Sequence, residues 1–423
     1  MNLIFTFKRY LLLPGLCFAF LIARSQNKYT LESALKTARV NNPVLKTEKF
    51  YSGMAQADVT TARLRPNLTL NNQSLQLANS KYFPENTTWN SGKNRQVWWQ
   101  LTKSFQWPNQ RQYKIDFAQS QYGITEKNYA ETERNLYLQV ASKWLDVWAT
   151  QMQLNLIQIA KSNVDSLAAI NKLRLKNQVI TQTDLMRTQL LANQYELQLK
   201  TTLQDYRNQL KELSFLVGAK DSIDIGSSDD FFARADLITN IDSVFAQAAK
   251  NRSDVQTALS TVALSDTNIK LQKSLAWPQP ELGVIVNPQN TVPYVGLFGT
   301  IDLPFFDRNQ GEIQKSRVMK QQAEQSVQAI QYQVQVEVQT AYNSFKVQQQ
   351  NLEKYVNLLQ QAGFILDNVR YAYLRGGTTI IDFLEAQRSW LETQQQYYDT
   401  LQKYRQSYVQ LLFATGLINQ LAQ

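Results

Sequence analysis

The sequence has 423 residues, 43% of them hydrophobic and 18% charged, with a formal charge of +10. That is ample for a buried core and short of a bundle of membrane helices. With one cysteine and no histidine, thiol catalysis, imidazole acid–base chemistry and soft-metal binding lack their usual residues.

Residues 1–25 read as a secretory signal peptide. Lys8 and Arg9 precede the apolar run Tyr10 to Ala23, and Ala23-Arg24-Ser25 supplies a cleavage site before Gln26. Cys17 lies inside this leader, and its flank Pro14-Gly15-Leu16 is a poor lipidation signal. Loss of Lys8, Arg9 and Arg24 with the leader lowers the charge to +7, and the remaining Lys and Arg are interleaved with Glu and Asp. That is the solvated surface of an exported protein, not a basic patch for nucleic acid.

Leu31, Ala34, Leu35 and Ala38 fall at helical spacing, and Asn41-Asn42-Pro43 ends that helix. A second helix runs from about Val44 to Arg63 and stops before Pro66. The period then drops to two, with Leu68 and Leu70 alternating with Asn67, Thr69 and Asn71. After a polar loop at roughly 79–94, Val97, Trp99, Leu101, Phe105 and Trp107 oppose Gln96, Gln100, Thr102, Ser104 and Gln106. Residues 67–107 are therefore one hairpin, with Trp98 the exception on its polar side. Pro108 breaks the strand, and a helix of about 65 residues, roughly 100 Å, follows to Lys176. Its partner, about Thr181 to Val217, carries Leu185, Ala192, Leu199, Leu203, Tyr206, Leu210, Leu213 and Val217 in steps of seven, or of four and three. Such steps mark a coiled-coil seam. Gly218 closes it, and residues 219–238 form an acidic equatorial interlude without strong periodicity.

The pattern then begins again. Asn251-Arg252-Ser253 resembles Asn41-Asn42-Pro43, and a helix to Leu275 meets Pro278 and Pro280. Strands near Glu281–Asn287 and Tyr294–Leu303 make a second, shorter hairpin over about 281–303. In the stretch YVGLFGTIDLPFFDRNQGEI (294–313) Val295, Leu297, Gly299, Ile301 and Leu303 take one face, and Tyr294, Gly296, Phe298, Thr300 and Asp302 the other. Pro304 then removes a ladder donor, and Asp307, Asn309 and Gly311 supply turn chemistry. The helix that follows carries Val334, Val338, Ala341, Phe345, Leu352, Tyr355, Leu359, Ala362, Leu366, Val369 and Tyr373 at four-three spacing. It breaks at Arg375-Gly376-Gly377 and returns through Phe383, Trp390, Tyr397, Leu401, Tyr404, Tyr408 and Leu411 to Gly416.

Ile115 and Ile313, Trp144 and Tyr342, Asp184 and Asp382, and Gly218 and Gly416 are each 198 residues apart. One offset at four landmarks means a duplication, with repeats over 26–218 (long helices about 110–217) and 239–416 (long helices about 308–415) and a tail at 417–423. The hairpins depart from it, Pro66 and Pro278 being 212 apart, because the first-half loop is longer. Four strands cannot close a hollow barrel, and a sheet with two open edges invites aggregation. Three chains would give twelve strands and satisfy every backbone group in lipid. The competing arrangement, a soluble domain with the strands packed under helices, fits the export leader and the polar/apolar alternation less well.

The tandem repeat, the order helix, hairpin, long helix and return helix in each half, and two strings resemble the TolC family of outer-membrane efflux channels. The strings are LPFFDRNQGEI (303–313), closest to heavy-metal cation efflux members, and RGGTTIIDFLEAQRSWLETQQQYYDTL (375–401). The resemblance covers essentially all of the mature chain, but the first-half tip NQVITQTDLMRTQ (177–189) lacks the usual glycine. It implies a mainly α fold with a small β part: a homotrimer whose long antiparallel coiled-coil helices form a periplasmic α-barrel, joined to a twelve-stranded transmembrane β-barrel in the outer-membrane lipid of a Gram-negative bacterium. It further implies a passive conduit with no cofactor and no enzymatic role. Substrate would come from an inner-membrane pump, of RND type, through a periplasmic adaptor. Heavy-metal cations are the cargo the first string suggests, with drug efflux and type I protein secretion as alternatives.

By the same resemblance the tips Val179, Ile180, Arg375, Gly376 and Gly377 contact the adaptor; as plain sequence they are helix–helix turns. Asp184 and Asp382 begin the return helices, where a carboxylate is favourable in any case. Three copies of each would ring the periplasmic aperture and attract cations. No nucleophile–base arrangement, phosphate loop or metal-ligand spacing is present. A trimeric coiled-coil adhesin is disfavoured by the returning hairpins, and an outer-membrane hydrolase by the lack of histidine and of paired acids.

Overall fold

The computed structural model describes residues 27–233, 248, 250–289 and 292–422; the leader at 1–25, with Cys17, and the end of the interlude at 234–238 lie outside them. β1 (Asn27–Tyr29) leads into α1 (Leu31–Asn41), where Thr30 accepts from Ser33 N and Leu31, Ala34, Leu35 and Ala38 are fully buried. Asn42 ends α1 and caps α2 (Pro43–Arg63) by accepting from Leu45 N at 2.9 Å, with Pro43 in the first turn, where no N–H is needed. β2 (Leu68–Gln76), β3 (Arg95–Ser104), α3 (Gln110–Lys176) and α4 (Gln182–Val217) complete the first repeat. β4 (Ile223–Ile225) and α5 (Asp229–Ala233) follow. The second repeat contains α6 (Ser253–Leu275), β5 (Glu281–Gln289), β6 (Val292–Thr300), α7 (Gln310–Leu374) and α8 (Ile380–Ala414). α3 packs along α4 and α7 along α8, and α3 also meets α8. The buried seam residues Leu185, Leu213, Val217, Val338 and Phe345 are those the four-three spacing selects.

One expectation needs correction. β6 ends at Thr300 instead of Leu303, because Thr300 pairs with Glu281, the first residue of β5, and Pro280 before it has no N–H to extend the ladder. The interlude, without strong periodicity in sequence, contains a short strand. β4 pairs in parallel with β1, Asn27 opposite Ile223 and Tyr29 opposite Ile225, and the fully buried Trp144 of α3 donates its indole N–H to Tyr29 O at 2.9 Å.

The duplication is written in the helix ends. Asn109 (φ 69°) and Asn309 (φ 57°) take the left-handed conformation just before α3 and α7, and Gly218 (φ 72°) and Gly416 (φ 73°) take it after α4 and α8. Asn42 Nδ2 donates to Leu216 O at 2.7 Å, and Arg252 Nη1 donates to Ala414 O at 3.1 Å, so each short helix caps the return helix of its own repeat. Arg252 and Arg134 are both 2% exposed. Arg134 bonds Glu131 through Nε (2.9 Å) and Nη2 (2.7 Å) and donates Nη1 to Phe413 O at 2.9 Å, so two guanidiniums close the C-terminus of α8.

Candidate functional site: the sheet wall and the helix tips

β2, β3, β5 and β6 form one antiparallel sheet in that order. Leu101 stands opposite Leu70 and Val284, and Val284 opposite Leu297; Trp99 stands opposite Val286, and Val286 opposite Val295. One face therefore presents Leu70, Trp99, Leu101, Val284, Val286, Val295 and Leu297, all exposed, Leu297 to 90%. The other presents Asn71, Gln100 and Thr102 together with Trp98, Asn287 and Tyr294. Thr102 is buried and donates its hydroxyl to Glu281. β2 and β6 have no further strand partner among the described residues.

Where the sheet meets the helices, Phe105, Trp107, Trp277, Ile301, Phe305 and Phe306 are exposed. Trp107 packs edge-on against Trp277 at 6.1 Å and donates to Pro278 O, giving rings with an apolar face and a polar anchor, as membrane interfaces favour. The DRN of the long-helix junction is occupied locally. Asp307 Oδ1 accepts from Asn309 N (2.8 Å), Arg308 Nε donates to Pro304 O (3.0 Å), and Asn309 Nδ2 donates to Gln272 O (2.8 Å).

At the far end of α3, about 100 Å away, lie the tips. In the first, Asn177 ends α3 and Gln178 takes φ 59°, the position held in the second by Gly376 at φ 79°. The missing glycine thus does not change the turn; a glutamine accepts the strained conformation. Val179, Arg375, Gly376 and Gly377 are exposed and Ile180 is half-buried, with Arg375 lying 4.0 Å over the Tyr371 ring. Asp184 and Asp382 both sit in capping boxes. Thr181 N (3.1 Å) and Thr181 Oγ1 (2.7 Å) donate to Asp184, and Thr379 N (3.1 Å), Thr379 Oγ1 (2.6 Å) and Thr378 Oγ1 (2.7 Å) donate to Asp382. The Thr379 hydroxyl, then that of Thr378, holds the Asp382 carboxyl below the usual carboxylate range.

The structure also joins residues the sequence reading did not single out as a group. Tyr373 donates its hydroxyl to Asn171 Oδ1 (2.8 Å), Asn171 Nδ2 donates to Thr188 Oγ1 (3.0 Å), and Thr188 donates to Asp184 O (3.0 Å). Arg174 lies 4.7 Å over the Tyr373 ring, which stacks on Phe383 at 5.4 Å. The two tips of one protomer are thereby linked. The available signal was polar Asn171 and Thr188 at seam positions, both fully buried, since a polar group in an apolar seam fixes register.

The family model for outer membrane efflux proteins matches residues 244–417. The fold matches that of a membrane protein from Pseudomonas aeruginosa at 16% identity and TM-score 0.76, over 91% of this chain and 93% of that one. It matches CusC at 16% identity and TM-score 0.75, over 92% and 93%, and the Campylobacter jejuni outer membrane channel CmeC at 15% and 0.73, over 91% and 85%. No curated protein matches in sequence. The two-faced sheet set on paired long helices is the fold that these matched structures share. The second repeat carries the sequence pattern of outer membrane efflux proteins, and the whole chain shares the fold of the matched structures.

Proposed function

We propose that three copies close a twelve-stranded barrel and act as the passive exit duct of a tripartite system fed by an RND-type pump. The observation that carries this is the sheet: an exposed apolar face, an opposite, more polar face, and two edges on one chain without a strand partner among the described residues. In lipid each unpaired backbone group costs several kcal/mol, and pairing β6 of one copy with β2 of the next removes every edge. Outer-membrane lipid then surrounds Leu101, Val295 and Leu297, while Gln100 and Thr102 face the conduit. Val179, Ile180, Arg375, Gly376 and Gly377 meet the adaptor, and Asp184 and Asp382 ring the periplasmic aperture. Cargo selection belongs to the pump. The mature sequence has neither Cys nor His, and Asp307 and Arg308 bond within the junction while Asn309 reaches Gln272, so the resemblance to cation-efflux members is the support for heavy-metal cargo over drugs or secreted protein.

Mass measurement in mild detergent should return three chains, and planar bilayers containing the protein should conduct ions. A stable water-soluble monomer would sink the proposal. The compounds that become toxic on deletion of the gene identify the cargo.

A further inference from the structure

On the polar face of the sheet, at the end away from the helices, the side chains of Trp98, Ile285, Asn287 and Tyr294, with Gly296, border a cleft of about 420 Å³. Asn287 pairs with Tyr294 across β5 and β6, and Trp98 adjoins Trp99, whose partner on β5 is Val286, so Trp98, Asn287 and Tyr294 form one row across three strands. Gly296, opposite Ile285 in the next row, leaves the floor open; a Cβ there would stand 3.2 Å from Ile285 Cγ2. Asn287 is 3% exposed, yet its Oδ1 accepts no hydrogen bond. A buried carboxamide oxygen without a donor is costly to leave unmade, so the site asks for one.

We propose that this cleft is a binding subsite for a planar aromatic molecule carrying an N–H donor. The indole of Trp98 and the phenol of Tyr294 supply π faces, Ile285 and Gly296 the floor, and Asn287 Oδ1 the acceptor. Its volume falls in the range of small-molecule sites. No carboxylate, ammonium or guanidinium lines it, which disfavours metal ions and anions, whereas the ring faces attract an aromatic cation. The inference rests on the reading that this face lines the conduit, and it places a contact for departing cargo near the outer mouth.

The test uses proflavine, a flat aromatic amine, titrated into the detergent-solubilised full chain and followed by fluorescence anisotropy. Saturable binding is expected, weakened about tenfold by Trp98→Leu or by Asn287→Leu and unchanged by Trp99→Leu on the opposite face. Tyr294 is 61% exposed, so Tyr294→Leu keeps the test valid should either of the first two fail to assemble. Absence of saturable binding, or equal loss with Trp99→Leu, overturns the subsite. In reconstituted vesicles a membrane-impermeant maleimide should label Tyr294→Cys and spare Leu297→Cys. That labelling without proflavine binding refutes the subsite and leaves the duct standing; the reverse labelling refutes both.

Discussion

Replacing Arg252 by methionine tests how the second repeat is fastened at its waist. Arg252 donates Nε and Nη2 to the two Asp254 oxygens at 3.0 and 2.6 Å, and Nη1 to Glu337 Oε2 at 2.6 Å and to Ala414 O at 3.1 Å. Methionine fills much of the same volume, so the loss is of donors: two carboxylates and one helix-terminal carbonyl are left without them. Breaking a buried ion pair costs about 3–5 kcal/mol. Asp254 and Glu337 keep 25% and 35% of their side-chain surface, and Arg134 stands 3.6 Å from Asp254. Water and the second guanidinium therefore recover part of the loss, which puts it at about 3 kcal/mol. Burial pushes the Asp254 carboxyl up, but the Arg252 hydrogen bonds and charge outweigh it and hold the group below its ordinary 3.8. A depressed pKa contributes stability that is complete above the unfolded value and is lost as pH falls through the folded one. In Arg252→Met burial acts without that opposition, the carboxyl rises, and acid protonation relieves the variant first. Guanidinium unfolding followed by helical circular dichroism should give the full difference at about pH 7 and a smaller one at about pH 4, with unchanged slope. Adding Asp254→Asn and Glu337→Gln should restore part of the stability. A loss under about 1 kcal/mol at neutral pH, or one that does not change with pH, refutes the reasoning.

Gly218→Ala and Gly416→Ala each impose a left-handed alanine, costing about 1–2 kcal/mol, but the new Cβ meets Asn41 O at 2.4 Å in the first and nothing closer than 3.1 Å in the second. Thermal midpoints should fall further for Gly218→Ala; equal midpoints would show that the Asn41 contact yields freely. Leu297→Arg should destabilise the lipid-inserted protein by about 2–4 kcal/mol near the midplane and Gln100→Arg by little, read from folding into lipid; equal tolerance would reverse the faces. Asp184→Asn combined with Asp382→Asn keeps a side-chain acceptor at each cap and removes the charge, so cation preference in bilayer recordings should fall. Because the Thr379 hydroxyl lowers the Asp382 pKa, the Asp382 share of the parent's preference should persist into acid below the ordinary carboxylate range; unaltered selectivity in the variant removes the aspartates from the aperture. Gly376→Val with Gly377→Val puts a β-branched residue at φ 79° and should reduce adaptor capture in pull-downs; full capture would make 375–377 a plain turn.

The long helices were legible because Leu185 to Val217 and Val334 to Tyr373 repeat one spacing over many turns, and length makes periodicity unambiguous. The hairpins were legible because Val97, Trp99 and Leu101 alternate with Gln96, Gln100 and Thr102. The β1–β4 pair was not, since three residues each from chain positions nearly 200 apart carry no local period. Nor was the end of β6, which is set by Pro280 on the partner strand and not by anything within 294–303. At the tips, Asp184 and Asp382 could be picked out as helix starts, while the Tyr373–Asn171–Thr188 link required knowing which residues of two hairpins face each other. Gln178 shows that a turn can be kept without its usual residue: the first tip lacks the glycine, and a glutamine takes the left-handed position in its place.

The central joint of the sheet lies between β3, ending at Ser104, and β5, starting at Glu281. Everything between them, including the whole α3–α4 hairpin, is synthesised before that joint can close. Antiparallel neighbours joined by short turns assemble quickly, whereas pairings across large sequence separation pay loop closure first. The α3–α4 arm can therefore form while the strands are still apart, and Arg134 reaches Phe413 O, 279 residues on, only when synthesis is nearly finished. All four strands are made by Thr300, ahead of α7 and α8, so the molecule has two long-range closures to complete: the joint of β3 with β5, and then the seat of the last helix against α3.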